Sequence, residues 1–179
     1  RNIGWAAAKA DDVVFLDADV SLTEEWRDRF LTKLKHLSQT KIVTGATVFI
    51  SEEPGFIERN WFFYMDTSSR TYINSANLIT NKMVLHAIGG FCDELVTGED
   101  VDFSNRARSA QCEVVLDPAF KVHHEGYPKS LRQFARREMW HGIGDIQSIH
   151  SFLNSSVAQI AVLQGLLVTF GIITSFVMR

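Results

Sequence analysis

Apolar positions in the first two thirds of the chain switch repeatedly between helical and extended spacing. Residues 5–10 are alanine-rich and favour helix, and Asp11-Asp12 lead into Val13-Val14-Phe15-Leu16, an apolar run that predicts a strand. Trp26, Phe30, Leu31, Leu34 and Leu37 recur at helical spacing. Ser21 with Glu24 three residues on reads as a capping box, so residues 22–38 are expected to form an amphipathic helix. Ile42 to Ile50 is rich in β-branched residues and predicts one strand, closed by the turn Glu52-Glu53-Pro54-Gly55. The aromatic cluster Trp61, Phe62, Phe63 and Tyr64 suits a core. Tyr72 to Ile79 predicts a strand, and a short helix follows from Asn81 to the stop at Gly89-Gly90. Asp100 to Ala110 predicts another helix, and Val114 to Leu116 a strand that Pro118 ends. Such alternation of helix and strand argues for an α/β sheet.

The tail has a different pattern. Residues 157–178 carry no charged side chain and 17 of the 22 are apolar or glycine. As a helix they extend about 33 Å, enough for a bilayer core, so a transmembrane helix is expected there. Gln159, Gln164, Thr169, Thr174 and Ser175 oppose that reading unless their polar groups find partners. Just before it, Leu131 to His150 sets Leu131, Phe134, Trp140, Ile143 and Ile146 among Arg132, Arg136 and Arg137. That mixture suits a helix lying at a membrane surface as well as one packed on the domain.

Composition narrows the class. With 179 residues, 46% hydrophobic and 22% charged, the chain is long enough for a globular domain with its own core. A net charge of −3 gives no basic footprint for nucleic acid, so no nucleic-acid partner is expected. Two cysteines, Cys92 and Cys112, are too few for a disulfide framework and fit a reducing compartment.

Candidate chemistry begins where the first strand ends. Asp17 and Asp19 are two residues apart, so in an extended segment they project to the same side and can face one divalent cation; hard oxygen ligands favour Mg²⁺ or Mn²⁺. An isolated Asp-x-Asp is more often a solvated strand-to-loop turn. A second acidic cluster, Glu99, Asp100 and Asp102, stands at a helix start. The helix dipole favours carboxylates there, and a carboxylate held near a metal-bound diphosphate also meets the need for a general base. His123 and His124 form a third element; on an extended segment adjacent side chains point to opposite faces, so only one of the two reaches a given site.

In order, the motifs are a strand ending in Asp17-x-Asp19, the turn Gly89-Gly90-Phe91-Cys92-Asp93-Glu94, the helix start Gly98-Glu99-Asp100-Val101-Asp102, then Val122-His123-His124 and a basic helix. Together they resemble the inverting glycosyltransferases of the GT-A fold, family 2 type, over roughly residues 1–145. The resemblance implies a Rossmann-like, mostly parallel sheet flanked by helices, with the site at the carboxyl ends of the strands. It implies Asp17 and Asp19 as metal and diphosphate ligands, Asp100 as catalytic base, Glu99 as orienting residue, and His124 ahead of His123 at the metal. Arg1-Asn2-Ile3-Gly4 looks like the family segment beside the nucleotide-sugar, which makes Arg1 and Asn2 donor-binding residues.

The expected function follows from that resemblance: transfer of a sugar from a nucleotide-sugar donor to the hydroxyl of a carbohydrate or lipid-linked acceptor, with Mg²⁺ or Mn²⁺, in cell-envelope synthesis. The family's first strand and its base-contacting acidic residues are expected before Arg1, so the chain reads as a fragment that is inactive or weakly binding alone. Processive members carry a Gln-x-x-Arg-Trp motif, whereas this chain reads Arg136-Arg137-Glu138-Met139-Trp140, which favours a non-processive transferase. The expected organisation is the C-terminal part of a transferase domain over 1–130, a basic amphipathic helix over 131–150 and a transmembrane helix over 157–178. The catalytic domain is expected on the cytoplasmic side of a membrane. A nucleotidyltransferase and a non-catalytic, glycan-binding membrane module are the alternatives.

Overall fold

A computed structural model describes residues 1–46, 48–50, 53–62 and 71–177. Two compact units divide it, Arg1–Phe134 and Ala135–Arg179. In the first, helix α1 (Asn2–Ala7) precedes strands β1 (Asp12–Leu16) and β2 (Val20–Leu22), helix α2 (Glu24–Leu37), and strands β3 (Ile42–Gly45) and β4 (Val48–Ile50). A π-helical turn (Glu58–Phe62), β5 (Asn77–Asn81), α3 (Lys82–Ile88) and α4 (Glu99–Ser109) follow, then β6 (Glu113–Leu116), a 3₁₀ turn (Pro118–Phe120) and β7 (Val122–His124).

The main sheet has the order β1-β5-β3-β6 and is mixed. β5 runs antiparallel to both β1 and β3, and only β3 and β6 are parallel. This corrects the expectation of a mostly parallel sheet. All five β5 residues are buried, polar Asn77, Thr80 and Asn81 as well as Leu78 and Ile79, so the strand shows no alternation of buried and exposed positions that would mark it as antiparallel.

Helices cover both faces, and the sides alternate residue by residue. Val13, Val43 and Leu78 pack with Val84, Leu85, Phe91, Phe103 and Ala107 from the α3–α4 side. Their immediate neighbours Ile42 and Ile79 pack instead with Trp26, Leu37, Phe120 and Val122 on the α2 side. This is the two-residue period of a pleated strand between two apolar layers. Trp26 Nε1 donates to Asn77 Oδ1 at 3.0 Å and Asn77 Nδ2 to the Phe120 carbonyl at 2.6 Å, fastening α2 and the 3₁₀ turn to the central strand. Phe103 is 0% exposed at the centre of the α4 face. Phe103→Ala is expected to cost about 3–5 kcal/mol. Chemical denaturation of the detergent-solubilised chain measures it, and a loss below about 1 kcal/mol contradicts this packing.

Several local expectations shift. The first helix begins at Asn2, ahead of the alanine run. Ser21 lies in β2, and the cap of α2 is Thr23, whose Oγ1 accepts from Trp26 N at 3.1 Å. The single strand expected over 42–50 is two, β3 in the main sheet and β4 in a second sheet of order β2-β7-β4. β3 ends at Gly45, where the chain runs so close to β5 that a side chain would overlap the Asn77 carbonyl oxygen. The strand expected from Tyr72 starts only at Asn77, because Asn74 Oδ1 accepts from Ala76 N at 2.8 Å and turns the chain first. In the aromatic cluster Phe62 is buried while Trp61 is exposed; Phe63 and Tyr64 lie outside the described residues.

The second unit holds most of α5 (Leu131–Ile146) together with α6 (Ile149–Asn154) and α7 (Ser156–Val177). Within α7, Ser156–Ser175 is long and apolar enough to cross a membrane. Its hydroxyls are satisfied inside the helix: Thr169 donates to Gly165 O at 2.8 Å, Thr174 to Phe170 O at 3.0 Å and Ser175 to Ile172 O at 2.8 Å. Back-bonding of this kind lowers the cost that those residues would carry in lipid.

Candidate functional site

The site grows from the turn after β1. Asp17 N donates to Ala76 O at 3.3 Å and Asp17 O accepts from Val20 N at 3.2 Å, so Asp17 to Val20 reverse direction in a tight turn. β2 starts at once and pairs antiparallel with β7, in the register Val20↔His124, Ser21↔His123 and Leu22↔Val122. His124 thereby stands next to Asp19. Pleating sends His123 to the other face, which explains why His124 and not His123 joins the acidic pair.

Ligand atoms of Asp17, Asp19 and His124 all lie within 4.8 Å of one another. His124 Nε2 is 3.4 Å from Asp19 Oδ1, and His124 Nδ1 is buried with no hydrogen-bond partner. The two carboxylates are 43% and 45% exposed, open toward a ligand. Opposite ligands of a Mg²⁺ ion stand about 4.2 Å apart at about 2.0–2.1 Å each, so small side-chain rotations would close this set on one cation. Two carboxylates and an imidazole fit Mg²⁺ or Mn²⁺.

A second group of side chains adjoins the first through Arg1. Arg1 Nη1 donates to Glu99 Oε1 at 2.7 Å, Nη2 stands 3.6 Å from Asp17 Oδ1, and the guanidinium lies 5.4 Å from the centre of the Phe91 ring. Ser75 Oγ donates to the same Glu99 oxygen at 3.1 Å. Next along α4, Asp100 Oδ1 accepts from Val101 N at 2.8 Å. Burial pushes the Asp100 carboxyl above its ordinary value, the negative charge of Glu99 adds to the rise, and backbone N–H groups of Val101, Asp100 itself and Ser75 act against it.

The three acidic residues at the start of α4 thus divide. Asp102 Oδ2 takes Arg106 Nη2 at 2.6 Å, and Arg106 Nη1 reaches the carbonyls of Ile88 and Gly90 at 2.6 and 2.8 Å. That pair fastens α4 to the Gly-Gly turn. Asn2 fastens the same turn from the other side: its Nδ2 donates to Phe91 O and Asp93 Oδ1, both at 2.8 Å, and its Oδ1 accepts from Phe91 N at 2.9 Å. Glu99 faces Arg1 and Ser75 instead, and Asp100 Oδ1 takes the backbone N–H of Val101. Ser75 escaped sequence reasoning because only its place beside Glu99 in space marks it. Cys92 and Cys112 are free thiols, and burial raises the Cys112 thiol above its ordinary value.

A mixed α/β unit bearing two carboxylates and an imidazole that could hold a metal ion at a strand end, and a half-buried carboxylate at the start of a helix, is the arrangement in hand. No family model matches the chain. It is similar to the pre-mycofactocin glycosyltransferase of Mycobacterium tuberculosis, in strains CDC 1551 / Oshkosh and ATCC 25618 / H37Rv alike, at 26% identity over 156 residues. The match takes in 79% of this chain and 32% of the relative, so the chain spans about a third of the length of the curated relatives it matches. The relative is an enzyme named as a glycosyltransferase.

Proposed function

We propose that this chain carries part of a metal-dependent, inverting GT-A-type glycosyltransferase that moves a hexose from a nucleotide-sugar to a hydroxyl acceptor. The observation that carries the reading is the convergence of Asp17, Asp19 and His124 on one point, joined through Arg1 to Glu99. Asp17, Asp19 and His124 would hold Mg²⁺ or Mn²⁺, which when bound offsets the charge of a departing nucleoside diphosphate. Arg1 sets a guanidinium beside that position and adds a further positive charge toward the diphosphate. Asp100 accepts the proton of the acceptor hydroxyl as its oxygen attacks the anomeric carbon from the side opposite the leaving group, so the configuration inverts. A base pushed upward by burial is a stronger proton acceptor than an ordinary carboxylate; the negative charge of Glu99 adds a further push, and Glu99 also holds Arg1. Asn2 acts on the site through the turn it holds.

The acceptor is a carbohydrate or lipid-linked glycan of the cell envelope, extended non-processively. In this reading α7 spans the membrane. α5, with Arg132, Arg136 and Arg137 beside exposed Leu131, Met139, Trp140 and Ile143, lies at its cytoplasmic surface, where thiols stay reduced.

The test is product release by the full-length parent protein in membranes, screened over nucleotide-sugars with Mn²⁺. Donor-specific release of nucleoside diphosphate, lost on chelation, is expected. Pyrophosphate release would replace sugar transfer by nucleotidyl transfer, and donor binding without turnover would leave a non-catalytic module.

A further inference from the structure

Beyond β7 the chain crosses directly over the Asp19 carboxylate. Glu125 N donates to the Asp19 carbonyl at 2.9 Å, and the Tyr127 ring meets the His124 ring edge-on with centroids 4.7 Å apart. Between these two contacts sits Gly126. A methyl carbon placed on it would overlap Asp19 Oδ2 and approach both Asp19 Cγ and His124 Cε1 to 2.9 Å. Gly126 is absent from the glycines with positive φ, which are Gly89, Gly90 and Gly98. Its backbone therefore suits alanine, and the space it leaves for the carboxylate is what a side chain would remove.

We infer that Gly126 is a positioning residue of the Asp17–Asp19–His124 centre: its bare peptide face gives the Asp19 carboxylate the room to stand beside His124. The inference rests on the metal reading above. Asp19 is a short side chain, so an added methyl group is relieved by rotating the carboxylate away, at the expense of the ligand set and with little disturbance of the fold. The loss belongs to metal affinity, where changes of about 10–100-fold follow even from residues that only support a ligand.

The experiment uses the full chain in detergent, Mn²⁺ alone as probe, and no sugar donor. Gly126→Ala is expected to weaken Mn²⁺ binding by about 10–100-fold, followed by calorimetry or paramagnetic resonance, while the metal-free melting temperature stays near that of wild type. Unchanged Mn²⁺ affinity overturns the inference. If Gly126→Ala instead lowers metal-free melting, the double variant Gly126→Ala with Asp19→Ala decides: recovery supports a clash with the carboxylate, and persistent loss assigns the glycine to the backbone and overturns it. Wild type that binds no Mn²⁺ would remove the metal reading. That result overturns the inference together with its premise, whereas wild type that binds Mn²⁺ no better than Gly126→Ala overturns the inference alone.

Discussion

Asp100→Asn in the full-length protein is expected to lower sugar transfer by about 10²–10⁴-fold, the usual contribution of a positioned general base, with donor binding little changed. Asparagine keeps the size of the side chain and an oxygen for the Val101 N–H while losing the proton acceptor. The pH profile carries a second signature. The charged form of Asp100 is the active one, and burial with Glu99 beside it raises the carboxyl above 3.8. Activity therefore declines, as pH falls, at a higher pH than an ordinary carboxylate would impose. Glu99→Gln removes the negative neighbour and is expected to move that acid limb downward. Steady-state kcat/KM against pH for the two variants measures both effects. Transfer by Asp100→Asn at the wild-type rate would leave the base unassigned.

Metal removal is expected to have an effect of similar size. Chelation should abolish transfer, and Asp19→Ala or His124→Ala should weaken Mn²⁺ by more than the 10–100-fold typical of residues one shell further out. His123→Ala serves as the contrast. It stands on the opposite face of β7 from the ligand set, so Mn²⁺ affinity should stay within about twofold of wild type. Equal losses at the two histidines would show that the centre is not built as the geometry has it, and binding titrations without donor separate these outcomes from any effect on turnover.

Much of the site was legible in the chain because its signals are local. Two aspartates at the end of an apolar strand mark a candidate pair, although the turn over Asp17 to Val20, and not strand alternation, brings them together. Adjacent histidines on a strand announce that one of them will be turned away; the resemblance put His124 ahead, and the physical reason lies in β2, a strand of three residues with no sequence signature of its own. Pairing directions in the sheet were not legible. Nothing in Asn77 to Asn81 distinguishes an antiparallel strand from a parallel one, since burial on both faces erases the alternation that would have shown it. The same holds for caps, where Ser21 and Thr23 offer equivalent hydroxyls and only the ladder between Ser21 and His123 removes the first from contention. Asp102 and Arg106 are four apart and readable as a pair, whereas the carbonyls of Ile88 and Gly90 that complete their role come from another element.

The pairing of β2 with β7 joins residues from opposite ends of the first unit. Such a contact carries a loop-closure entropy that the completed pairing must offset. The ligand set is consequently a property of the completed fold. Partly folded chains would present isolated aspartates with little hold on a divalent ion, so cation binding would favour the finished unit alone, by about 2.7 kcal/mol at a free concentration of about one hundred times Kd.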